Sequence, residues 1–143
     1  MCMFGKNRRM NDVRCALCFA LLLALSACWS RKELPEDQAT SAFLKAFSTL
    51  QGGDVEGYMQ YVDFGGEMDS LQRSVLCRLL TQHQDLRVRQ KGELLGIEAV
   101  DAQMQGDTVC TVFCQLTFAD STAELVSQKM VRVGEDWKVR LRN

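Results

Sequence analysis

The chain has 143 residues, 24% of them charged and 47% hydrophobic, with a formal net charge of −1. That suits one globular domain and excludes a multidomain enzyme, a disordered tail and a coiled coil. The sequence pI near 5.8 also excludes a strongly basic nucleic-acid binder, whose pI usually exceeds ~9.

Lys6, Arg8, Arg9 and Arg14 precede an apolar run from Cys15 to Leu25. Its 11 residues fit the ~7–15 of a secretory signal core and fall short of the ~20 that span a bilayer. Leu25-Ser26-Ala27-Cys28 follows and resembles the bacterial lipobox. The resemblance implies diacylglycerol on the Cys28 thiol and cleavage just before it. Residues 1–27 are then a cleaved lipoprotein signal peptide, 28–35 a lipid-anchored tether, and 36–143 the folded domain. Plain secretion with cleavage after Ala27, and an uncleaved membrane anchor, remain alternatives. Each buried CH₂ contributes about 0.8 kcal/mol and stable attachment takes more than one chain, which a di- or triacylated cysteine provides. The implied location is the cell envelope, in periplasm or at the cell surface, with the outer membrane as the expected site of the lipid.

Removing residues 1–27 leaves thirteen basic against seventeen acidic side chains, a net of −4. Nothing in that balance draws the domain to nucleic acid or anionic lipid. Arg87, Arg89 and Lys91 alternate along a short segment and read as a solvated strand face.

Of seven cysteines, Cys2, Cys15 and Cys18 depart with the signal and Cys28 takes the lipid. The Cys15-x-x-Cys18 spacing lies inside the signal core and is no redox or zinc motif. Cys77, Cys110 and Cys114 remain, an odd number. Cys110 and Cys114 stand four apart in an expected strand, roughly 13 Å between Cα atoms where a disulfide needs less than about 7 Å. The three are expected to be small buried hydrophobes, with a bridge from Cys77 to either partner, or a catalytic thiol, as alternatives.

Pro35 suits the first turn of a helix, and Ala39, Ala42, Phe43, Ala46, Phe47 and Leu50 recur at helical spacing until Gly52-Gly53. Asp54 caps a shorter second helix with Val55, Tyr58, Met59 and Val62 on it. After Gly65-Gly66 a third helix carries Met68, Leu71, Val75, Leu76, Leu79 and Leu80 on one stripe and fades near His83. The period then changes to two. Leu95, Ile97 and Ala99 share a face, then Val100, Ala102 and Met104, so a bulge falls near Ala99-Val100. Gly106-Asp107 turns the chain. Cys110, Val112, Cys114, Leu116 and Phe118 line one face of the next strand. Another strand is marked by Ala123, Leu125, Val131 and Val133, and a last one by Trp137, Val139 and Leu141. The expectation is an α+β domain: about three N-terminal helices on a curved antiparallel sheet of three to four strands.

Several phrases resemble the nuclear-transport-factor-2-like (NTF2-like, cystatin-like) domains, above all those of small Bacteroidetes lipoproteins of unknown function. They are Ala42-Phe43-Leu44-Lys45-Ala46-Phe47, Gly53-Asp54-Val55-Glu56-Gly57-Tyr58, Asp107-Thr108-Val109 and Gly134-Glu135-Asp136-Trp137-Lys138-Val139. The resemblance spans roughly residues 36–142 and implies a cone-shaped fold with a pocket, which by itself does not fix a function.

Three functions follow as expectations. The first is a non-catalytic module binding a small ligand or a protein, with Tyr58, Tyr61, Phe64, Phe113 and Trp137 as pocket-lining candidates. The second is an isomerase- or dehydratase-like enzyme with Asp63 as base and Tyr58 or Tyr61 as oxyanion donor. Against it, the first helix offers Phe43 and Phe47 where isomerases of this fold carry a tyrosine. His83, the only histidine, reads as a solvated helix-end residue. The third is an accessory subunit of an envelope complex or a homodimer, meeting its partner through an outer sheet face bearing Val109, Phe113 and Met130. No metal-ligand spacing, phosphate loop or nucleophile elbow occurs in the mature chain, so no cofactor is expected.

Overall fold

Pro35 at the first helical position and Glu36 and Asp37 in the first turn open α1 (Pro35–Gln51), which buries Ala39, Phe43 and Ala46. This is a computed structural model in which the described residues run from Glu33 to Leu141. The expected signal segment, Cys28 and most of the expected tether lie outside them. From Leu34 onward the chain forms one unit. Asp54 caps α2 (Val55–Met59), its Oδ1 accepting from the Gly57 N–H at 2.8 Å. Val62–Asp63 form a short strand, β1. Asp69 and Gln72 make a reciprocal capping box at the start of α3 (Ser70–Lys91).

Gly92 ends α3 with φ +80°, and a Cβ there would stand 2.9 Å from the Ala119 Cβ. The Ala119 and Asp120 N–H groups donate to the Glu93 and Lys91 carbonyls, stitching this corner to the next hairpin. Four longer strands follow: β2 (Leu94–Gln105), β3 (Val109–Phe118), β4 (Ala123–Val133) and β5 (Asp136–Arg140). The sheet order is β1-β5-β4-β3-β2; β1 runs parallel to β5 and the other pairs are antiparallel.

One face of β3 supplies the floor of the core. Cys110, Val112, Cys114, Leu116 and Phe118 are all buried. Val139 and Met130 continue that floor across β5 and β4, and α1, Tyr58 and Val62 cover it. Each large apolar side chain fully buried there contributes about 1.5–3 kcal/mol.

Five strands stand where three to four were expected. The fifth is β1: two residues are too few to show an alternating pattern, so Val62 read as the end of the second helix. The bulge falls where the pattern shifts, with Val100 skipped between the pairs Ala99–Cys114 and Asp101–Phe113; a second skips Leu95. Leu95 consequently faces solvent instead of sharing the Ile97 face. Helix α3 does not fade at His83 but runs on to Lys91, so Arg87, Arg89 and Lys91 sit on helix, not strand. Met130 pairs with Cys110 and points into the core, 1% exposed, so it is no part of the outer face. Cys77, Cys110 and Cys114 are free thiols, and the bridge left open for Cys77 is not formed.

Candidate functional site

The third helix presents only part of its expected stripe to the domain: Leu80 packs against the core and Leu76 is half-buried. Leu71, Val75 and Leu79 are 72%, 36% and 54% exposed, and no residue of α3 is buried. Polar side chains also hold it to the domain. Arg73 Nε donates to Glu56 Oε2 at 3.0 Å and Gln84 Nε2 to the Leu50 carbonyl at 2.7 Å. Lys91 pairs with Glu124, and the Arg87 and Lys91 cations lie 5.9 and 5.3 Å from the Phe118 ring centre. Of the expected stripe, Leu76 and Leu80 on the helix, and Met68 just before it, are half-buried.

This seating leaves a groove of about 500 Å³ between α3, the turn after β1, and the end of β5. Phe64, Met68, Val75, Leu76, Leu79 and Leu141 make its apolar walls. Its polar side chains are Asp63, Glu67 and Gln72. Gln72 is engaged in the capping box. Asp63 is held at both oxygens: Oδ1 accepts from the Gly65 N–H at 3.2 Å and Oδ2 from Arg140 Nη2 at 2.7 Å. The Arg140 hydrogen bond, then that of Gly65, lowers the Asp63 carboxyl below its ordinary range. A base working near neutral pH needs the opposite displacement and a free oxygen. Glu67 is exposed and makes no hydrogen bond or ion pair among the described residues.

Of the residues singled out from sequence, Asp63 and Phe64 reach the groove. Tyr58 and Trp137 are buried in the core, each 6% exposed, and burial raises the Tyr58 phenol pKa. The Trp137 indole N–H has no acceptor among the described residues. Tyr61 is half-buried, with Lys45 Nζ 5.7 Å from its ring centre. Phe113 lies on the opposite sheet face, paired with Ser127 and Asp101. His83 is exposed on α3. Burial raises the thiol pKa of Cys77, Cys110 and Cys114, the reverse of an activated nucleophile. Sequence reasoning passed over Glu67, Val75, Leu79 and Leu141 as groove residues. The signal was present in the apolar stripe of α3, but a stripe does not say which way it faces.

No protein-family model matches the chain, and no curated protein does. A solved structure does: a Campylobacter jejuni protein provisionally assigned as an NTF2-like transpeptidase. The two superpose with a TM-score of 0.56 over 68% of this chain and 93% of that one. The domain has an NTF2-like fold. At 14% sequence identity the likeness is one of fold.

Proposed function

We propose that this NTF2-like domain is a non-catalytic binding module of the cell envelope, held at a membrane by lipid on Cys28. The observation that carries the binding reading is the open groove beside α3, walled by six apolar side chains. The anchor rests on the lipobox resemblance alone.

An isomerase-like reading has less support, because Arg140 pairs with Asp63, the carboxylate on which that reading relies. Transpeptidation, suggested by the name of the structural neighbour, needs an activated nucleophile. Among the described residues no cysteine has a lowered thiol pKa, and His83 makes no hydrogen bond.

The test is the fluorescence of N-phenyl-1-naphthylamine, a neutral apolar probe, added to the full-length chain in phosphatidylcholine nanodiscs. The expected result is saturable brightening that Val75→Asp abolishes without unfolding the chain. Equal brightening with and without Val75→Asp, or none above empty nanodiscs, overturns the groove as a binding site.

A further inference from the structure

Helix α3 meets the domain with a largely polar stripe. Its half-buried residues are Leu76, Cys77, Leu80, Gln84, Arg87 and Lys91. With Arg73 they recur at intervals of three and four, so they share one side of the helix. Only Leu76 and Leu80 among them are large and apolar. Charged contacts join that side to the domain at both ends. Towards the N-terminus Arg73 pairs with Glu56, whose other oxygen accepts from the Cys77 thiol at 3.4 Å. Near the C-terminus Lys91 pairs with Glu124, and Arg87 and Lys91 stand over the Phe118 ring. The Arg73 hydrogen bond lowers the Glu56 carboxyl and the Lys91 hydrogen bond lowers that of Glu124, so both are charged at neutral pH. Water and ions reach both pairs: the side chains are 50% and 66% exposed for Arg73 and Glu56, and 28% and 34% for Lys91 and Glu124. Pairs of that kind are screened as ionic strength rises.

The same helix supplies Val75, Leu76 and Leu79 to the groove. Groove and ionic seam therefore share one element, and the groove keeps this wall only while α3 is docked. We infer that ionic strength controls the groove: as the seam of Glu56, Arg73, Lys91 and Glu124 is screened, α3 lifts from the domain and an apolar ligand loses its wall. The inference rests on the binding reading above and adds to it a means of regulation. The apparent affinity is the intrinsic one reduced by the docked fraction. An undocked helix is marginal in water, so lifting α3 also unprotects its main-chain amides.

The experiment titrates N-phenyl-1-naphthylamine into the full-length chain in phosphatidylcholine nanodiscs, with empty nanodiscs at the same salt as the correction. Sodium chloride is raised from about 0.05 M to about 1 M, which takes the Debye length from above ~10 Å to ~3 Å. The probe is neutral, so salt has no charge on it to screen. The parent is expected to bind about threefold more weakly at high salt. Glu56→Gln/Glu124→Gln, which changes no groove residue, is expected to bind about threefold more weakly at low salt and to respond little to more salt. Amide hydrogen exchange of the same samples is expected to quicken in α3 and to stay unchanged in β3. Affinity that holds or rises with salt, a double variant that binds like the parent, or exchange that quickens equally in α3 and β3 overturns the inference. If no saturable brightening occurs at either salt, the binding reading fails and exchange alone decides: quickening confined to α3 upholds the salt-sensitive seam, and unchanged exchange sinks it too.

Discussion

Asp63 shows how a position can be legible and its role hidden. Sequence places it in the turn between Tyr61-Val62 and Phe64-Gly65-Gly66, at the rim of the groove. Its partner Arg140 lies 77 residues away, and no local pattern announces the pair. The pairing holds the folded carboxyl below the ordinary value of 3.8. A depressed carboxyl contributes stability that is complete above the unfolded value and is lost as pH falls through the folded one. The chain is therefore expected to lose this contribution below about pH 4, and Asp63→Asn to remove it at neutral pH, for a difference of roughly 1 kcal/mol or less. Denaturant titrations at pH 7 and pH 3 check this. A difference between parent and variant that does not shrink on acidification would mean the carboxylate charge is not what Arg140 reads. Trp137 tells the complementary story. Its place in the last strand was readable from alternation with Val139, but its burial against α1, with an indole N–H lacking an acceptor among the described residues, depends on neighbours distant in sequence.

Helix α3 is the element where local pattern and final packing part company. Its leucines recur at helical spacing, and alone they predict a core-facing stripe. The polar partners of the helix are remote: Glu56 lies 17 residues before Arg73, Leu50 lies 34 before Gln84, and Glu124 lies 33 after Lys91. Strand β3 had no such competition, since five consecutive inward positions are apolar and its pattern matches its burial. The orientation of α3 is expected to show in paired variants. Asp69→Ala removes the N-cap and should cost about 1 kcal/mol. Leu71→Gln, on the exposed face, should change stability by no more than about 0.5 kcal/mol. Urea midpoints at equal m-value measure both. A loss above 2 kcal/mol for Leu71→Gln would place that leucine in a buried setting and remove the open face on which the groove extends.

For the whole molecule, the class α+β and the order of its longer elements were legible because each strand of β2 to β5 alternates over at least five residues. The sheet's fifth member was not, because a two-residue strand owes its existence to main-chain bonds. The Val139 N–H donates to the Tyr61 carbonyl at 2.7 Å, and no side-chain pattern encodes it. The proposed lipid anchor on Cys28 belongs to this scale as well. Cys28→Ser is expected to move the protein from the detergent phase to the aqueous phase in Triton X-114 partition of source-cell envelopes. Unchanged partition would remove the lipid and leave the groove to act in another setting.

The sheet has one long free margin, β2, twelve residues with a single neighbour. Such a margin offers a template onto which another strand can add. Two bulges, at Leu95 and Val100, break its repeat, and Glu98 and Asp101 sit between and beside them. No six-residue stretch of β2 keeps an uninterrupted register for a foreign strand to copy. At high local concentration, where copies collide often, that irregular margin lets them crowd side by side without growing into ribbons.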